Sequence, residues 1–118
     1  MPEAAARPVS IETAEHYPWG DGCDGWLLLP RQDLLILEER MPPGAAEIRH
    51  VHATARQFFY VLSGELTMDF DGEPTVIAGG QGLEVPPGLR HQACNRSDAD
   101  VRFLVISMPS TRGDRTDG

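Results

Sequence analysis

The stretch that decides the fold runs Gly44-Ala45-Ala46-Glu47-Ile48-Arg49-His50-Val51-His52-Ala53-Thr54-Ala55-Arg56-Gln57-Phe58-Phe59-Tyr60-Val61-Leu62-Ser63-Gly64. It follows the breaker Met41-Pro42-Pro43 and closes at the turn Ser63-Gly64. Gln57 to Leu62 is rich in aromatic and β-branched residues, which predicts a strand, and Glu47 to His52 predicts another. His50 and His52 are two apart, so in a strand both imidazoles project to the same face. A sheet presents two ligands to one metal in this way. Gln57 begins the next strand and can return to that face, offering a neutral hard oxygen donor. By the same alternation Phe59 and Val61 share the face of Gln57, while Phe58, Tyr60 and Leu62 take the other. Phe59 and Val61 would then form an apolar wall suited to an organic ligand.

Working outward, short apolar runs are separated by Gly, Pro and Asp throughout. Strands are predicted at Gly25 to Leu29, Leu34 to Met41, Glu65 to Phe70, Glu73 to Ala78, Gly82 to Val85, Arg90 to Asn95 and Val101 to Met108. Asp71-Gly72 is a hairpin signal. No segment sustains a helical period for three turns, although Val9 to His16 could form one turn capped by Ser10 and Thr13. The pattern is that of an all-β sandwich or barrel. At 118 residues the chain makes one domain. An N-terminal arm and leader covers residues 1–24, the barrel residues 25–108, and a flexible polar tail residues 109–118.

Composition removes several functions. All 10 basic residues are Arg, so Schiff-base chemistry, a phosphate-loop lysine and a lysine base are excluded. The net charge of -8 argues against nucleic acid as a partner. No apolar run is long enough to span a membrane. Met1 to Ser10 lacks the basic head and apolar run of an export signal, so a cytoplasmic location and reduced thiols at Cys23 and Cys94 are expected.

A second patterned stretch is Gly80-Gln81-Gly82-Leu83-Glu84-Val85-Pro86-Pro87-Gly88-Leu89-Arg90-His91-Gln92-Ala93-Cys94-Asn95. Its proline-stiffened approach leads directly to a third histidine that could close a site with His50 and His52. Gly44, Gly64, Gly80 and Gly88 fall at predicted turns, and Asn95 is placed to satisfy backbone groups. The spacing of Gly44, His50, His52, Gln57 and Gly64 resembles the first motif of the cupins. The spacing of Gly80, Pro86, Gly88, His91 and Asn95 resembles the second. Every fixed position matches except Gln57, where the family pattern carries Glu. The leader Trp19-Gly20-Asp21-Gly22-Cys23-Asp24-Gly25-Trp26 is similar to that of small single-domain cupins of unassigned activity.

The resemblance implies a double-stranded β-helix barrel, one divalent transition metal held by His50, His52, His91 and Gln57, and a homodimer. Iron, nickel, manganese, zinc and copper are all compatible with such donors. Gln57 either ligates through its amide oxygen or hydrogen-bonds a bound water or substrate. Three neutral imidazoles and a carboxamide leave the metal its full charge, which favours a small anionic or enolic organic compound. Trp19 and Trp26 are candidates to cover the pocket. Glu84, Tyr60 and His16 are the candidate proton-transfer groups, with Glu84 expected to face outward. A metal-dependent oxygenase is the leading function. A metal-dependent isomerase, epimerase or lyase, a non-catalytic small-molecule binder, and a metal-free structural barrel are the alternatives.

Overall fold

The computed structural model describes residues 7–118. Met1–Ala6, the start of the expected N-terminal arm, lie outside the described residues. Those described form eleven strands and no helix. They are β1 (Glu15–Trp19), β2 (Cys23–Pro30), β3 (Leu35–Met41), β4 (His50–Val51), β5 (Arg56–Ser63), β6 (Glu65–Phe70), β7 (Glu73–Ala78), β8 (Gly82–Val85), β9 (Gln92–Cys94), β10 (Val101–Met108) and β11 (Thr116–Asp117).

A six-stranded antiparallel sheet has the order β1-β2-β3-β10-β5-β8. A three-stranded sheet, β7-β6-β9, faces it, and β11-β4 forms a short pair at one end. The fold is the double-stranded β-helix. Alternation decides which side chains go inside. In β5, Gln57, Phe59 and Val61 are buried, while Phe58, Tyr60 and Leu62 are exposed. In β10, Val101, Phe103, Val105 and Ser107 point inward. Met41, Leu66, Met68 and Val85 complete a closely packed core between the sheets.

Local signals explain the turns. Asp71 and Gly72 both have positive φ, 53° and 90°, as a two-residue hairpin of this hand requires. Asn95 is fully buried. It donates to the carbonyls of Met41 and Ala99 at 3.0 and 2.8 Å and accepts from the Ser97 backbone N–H at 3.0 Å. Cys23 and Cys94 are buried free thiols.

The two ends differ from the sequence reading. Residues 11–14 form a single turn, with Thr13 and Ala14 donating to the Ser10 carbonyl. The leader then enters the large sheet as β1 and the start of β2 instead of standing apart as an arm. Residues 109–118, expected to be a flexible tail, are tied to the barrel: the Ser110 N–H donates to the Gln32 carbonyl, Asp114 accepts from the Ala53 N–H, and β11 pairs with β4. Thr116 pairs with Val51 and Asp117 with His50. Apolar content could not reveal this docking, because it rests on polar and backbone hydrogen bonds.

Gly64, in the β5–β6 turn, combines φ of 84° with a Cβ position 2.4 Å from the Asp100 carbonyl oxygen. Gly64→Ala therefore meets both backbone strain and an unyielding neighbour. We expect a loss of about 2–4 kcal/mol, measured by urea unfolding of the purified variant.

Candidate metal centre

His50 and His91 form an isolated antiparallel bridge. Each backbone N–H donates to the other's carbonyl, at 3.0 and 2.9 Å. This pair joins the two sequence motifs and sets the two imidazole centroids 4.5 Å apart. His52 follows β4 directly, with its ring centroid 4.7 Å from that of His50. All three histidines are buried, and a donor nitrogen from each lies within 4.8 Å of the others. The three are positioned to bind a metal.

The hydrogen bonds fix which nitrogen faces inward. His50 Nδ1–H donates to the Ile48 carbonyl at 2.7 Å, and His91 Nδ1–H to the Leu89 carbonyl at 2.8 Å. His52 Nδ1–H donates to the Asp114 carbonyl at 2.5 Å. A carbonyl only accepts, so each Nδ1 carries a proton, and each ring in its neutral form presents an Nε2 lone pair. Metal-ligating histidines are commonly oriented by such a bond at their other nitrogen. Burial pushes the His50 imidazole down to about 4 and also lowers that of His91, which keeps both rings neutral at pH 7.

Two buried polar atoms have no hydrogen-bond partner among the described residues: His91 Nε2 and Gln57 Oε1. Gln57 Nε2 donates to Ser107 Oγ at 3.2 Å, the residue opposite it on β10. Leaving buried acceptors unsatisfied costs about 1–3 kcal/mol each. A cation is the partner that both atoms fit.

His50, His52 and Gln57 line a cavity of about 100 Å³ together with Leu37, Phe59 and Val105. Glu39, Glu47 and Arg115 line this cavity and an adjoining pocket of about 340 Å³ that includes Tyr17, Trp19 and Ile48. Burial raises the Glu39 carboxyl to about 7, even though the Tyr17 hydroxyl donates to it at 2.8 Å. Burial raises Glu47 to about 8 against the opposing bond from the Ala93 backbone N–H at 2.9 Å. Neither carboxylate belongs to the cluster of converging donors. Tyr17 reaches Glu39 because Gly25 lies between them in the sheet register. A Cβ on Gly25 would sit 2.1 Å from the Tyr17 ring.

Several candidates fall elsewhere. Glu84 lies on the outer face opposite Phe58 and is ion-paired with Arg56. Tyr60 is exposed on the same outer face. His16 pairs with Asp24 at 2.7 Å on the outside of the large sheet. None of the three reaches the cavity, because strand parity turns each outward. Trp26 stands opposite His16 and faces Arg102, with the guanidinium carbon 5.5 Å from the ring centroid, so it is no pocket wall. Trp19 lines the outer pocket, Phe59 lines the inner cavity, and Val61 is fully buried in the core.

A cupin domain model matches residues 37–107, more than half the chain. The chain belongs to the cupin family. This cupin is 36% identical over 69 residues to polyketide synthase CurC of Streptomyces cyaneus, covering 58% of the chain and 45% of that relative. It is 34% identical over 62 residues to protein SchB of Streptomyces halstedii, covering 52% and 45%. The matches thus span less than half the length of these curated relatives. Among solved structures, a cupin-superfamily sugar phosphate isomerase from Silicibacter pomeroyi DSS-3 is 25% identical. Its TM-score is 0.76 over 88% of this chain and 76% of that one. The polyketide cyclase RemF from Streptomyces resistomycificus is similar in fold, with 18% identity and a TM-score of 0.75 over 88% and 80%.

Substituting His91 by Ala removes a converging donor from the centre of the cluster. Elemental analysis should find wild-type protein loaded with about one equivalent of a transition metal and the variant essentially without it. Equal metal content in both would overturn the assignment.

Proposed function

We propose that this cupin is a metal-dependent enzyme that moves protons on a small, enolisable, anionic compound, as an isomerase, cyclase or lyase does. The observation that carries this reading is the pair of mostly buried carboxyl groups, Glu39 and Glu47, beside the histidine triad. Perturbed carboxyls in a cleft are the usual equipment of acid–base catalysis.

His50, His52 and His91 would hold a divalent metal, with Gln57 Oε1 as the fourth protein donor. Such an ion polarises a carbonyl oxygen and acidifies the neighbouring C–H bond. A cation there favours the ionised form of Glu39 and Glu47, the form that accepts a proton. One carboxylate takes the carbon-bound proton, and a carboxyl group returns a proton elsewhere on the substrate. Tyr17 steadies Glu39 through its hydroxyl. Arg115 supplies the only cationic side chain among the residues lining the two pockets; its Nε donates to Asp117 Oδ1 at 2.6 Å, which leaves the terminal nitrogens to receive an acidic group. Phe59 and Trp19 form apolar walls, one in each pocket. The relative named as a polyketide synthase supports a substrate with several enolisable carbonyls.

Oxygen-dependent chemistry on the same class of compound is the second reading. The three neutral imidazoles and the amide favour it, since they leave room for an anionic substrate at the ion. For the partner surface, we propose that exposed Phe58, Tyr60 and Leu62 on β5, with Met108 on β10, pack against a second copy in a cytoplasmic homodimer. Phe58→Glu should shift the species seen by analytical ultracentrifugation from dimer to monomer.

Proton exchange separates the two chemistries. Metal-loaded protein under argon in D2O should incorporate deuterium next to the carbonyl of acetoacetate and related β-dicarbonyl acids, followed by NMR. Glu39→Gln should slow this by about 100-fold or more, and Arg115→Ala should raise KM with a smaller effect on kcat. Consumption of oxygen without any exchange under argon favours the second reading instead.

A further inference from the structure

We propose that the C-terminal segment is a working part of the metal centre, and that Asp114 is the residue that positions His52. The inference rests on the reading of His50, His52 and His91 as metal ligands.

The three imidazoles are not oriented in the same way. His50 and His91 each donate from Nδ1 to a carbonyl two residues earlier in the segment that leads into them. Their orientation is therefore set locally, by whatever fixes β4 and the approach to His91. His52 has no such local acceptor. Its Nδ1–H goes to the Asp114 carbonyl, 62 positions along the chain. One of the three rings thus takes its tautomer and its direction from residues outside both motifs.

Asp114 is held in place for this task. Its side-chain oxygens accept the backbone N–H groups of Ala53, Thr54 and Ala55 at 2.8, 3.0 and 2.8 Å. Those residues are the link between His52 and β5, where Gln57 sits. The Asp114 backbone N–H closes a turn onto Thr111 at 2.9 Å. Beyond Asp114, β11 pairs with β4, and Gly118 donates to the Arg49 carbonyl at 2.8 Å. The carboxylate grips the link after His52 while the carbonyl of the same residue grips the ring. Without the carboxylate, three N–H groups lose their acceptor and the carbonyl is no longer registered against Nδ1. The imidazole is then free to rotate or to exchange tautomers, and Nε2 is no longer fixed toward the triad's centre. An aspartate that merely capped the turn would contribute stability and leave the ring unaffected, so the two roles separate by experiment.

The test uses the full-length chain in four forms: wild type, Asp114→Ala, Asp114→Asn and His52→Ala. Cobalt(II) affinity is measured by competition with a chromophoric chelator. Histidine tautomers of the metal-free proteins are read from long-range proton–nitrogen NMR spectra of 15N-histidine-labelled samples. We expect Asp114→Ala to weaken cobalt binding by about 10–100-fold. Asp114→Asn, which keeps one acceptor oxygen, should recover part of that loss and remains informative if the alanine variant does not fold. In both variants the His52 signals should leave the pure Nδ1–H pattern, while those of His50 and His91 stay in place. Cobalt affinity within twofold of wild type in the folded Asp114 variants, with unchanged His52 signals, would overturn the proposal even if their melting temperature falls. A large loss in His52→Ala alone then sinks only the role of Asp114. Unchanged affinity in His52→Ala as well removes the ligand assignment on which it rests.

Discussion

Reciprocal hydrogen bonds between the backbones of His50 and His91 tie the two halves of the site together. Around this bridge, residues 44–50 run antiparallel to 91–95. Gly44 donates to the Asn95 carbonyl, Asn95 to Ala45, and Glu47 to Ala93. The pairing brings motifs from distant parts of the chain into register and points their imidazoles into the barrel. Gly88 adds a further tie by donating to the His52 carbonyl at 2.8 Å. Placing Glu47, His52 and Gln57 around one cavity depends on this framework.

The centre is electrostatically unlike the rest of the molecule. The chain carries a net charge of -8, yet burial holds the His50 and His91 imidazoles neutral and the nearest amide oxygen lacks a hydrogen-bond donor. Two carboxyl groups stand nearby, but desolvation moves both toward neutrality, and Arg115 from the C-terminal segment offsets them. Acidic surface and acid-tolerant cavity therefore coexist, because burial changes the energetics of charge more than sequence totals do.

Much of the fold was legible because β5 obeys strict alternation and because the glycines mark turns that need positive φ. The histidines were legible for the same reason, as two-residue spacing is a statement about faces. The parity that turns Glu84 and Tyr60 outward also turns Glu39 inward with Leu35, Leu37 and Met41. The signal for Glu39 was thus present in Leu35-Ile36-Leu37-Glu38-Glu39-Arg40-Met41, masked by its charge and by Glu38 beside it. Glu47 was not legible. Ile48 would share the face of His50 in a regular strand, yet it is 61% exposed, because residues 47–49 are not regular strand. Asp114 was hidden for another reason: it acts through a main-chain carbonyl, which residue type does not disclose.

The distance along the chain between the donors has a thermodynamic consequence. Glu47, His50, His52 and Gln57 are neighbours in sequence, but the third imidazole, His91, joins them only after a long loop has closed, and the carbonyl that orients His52 comes from 62 positions away. The unfolded chain offers a metal ion little more than an isolated pair of imidazoles. Affinity is then concentrated in the native state, and occupancy of the centre adds to the free energy of folding in proportion to the logarithm of metal concentration. A metal-loaded barrel would then unfold at a higher temperature than the empty one.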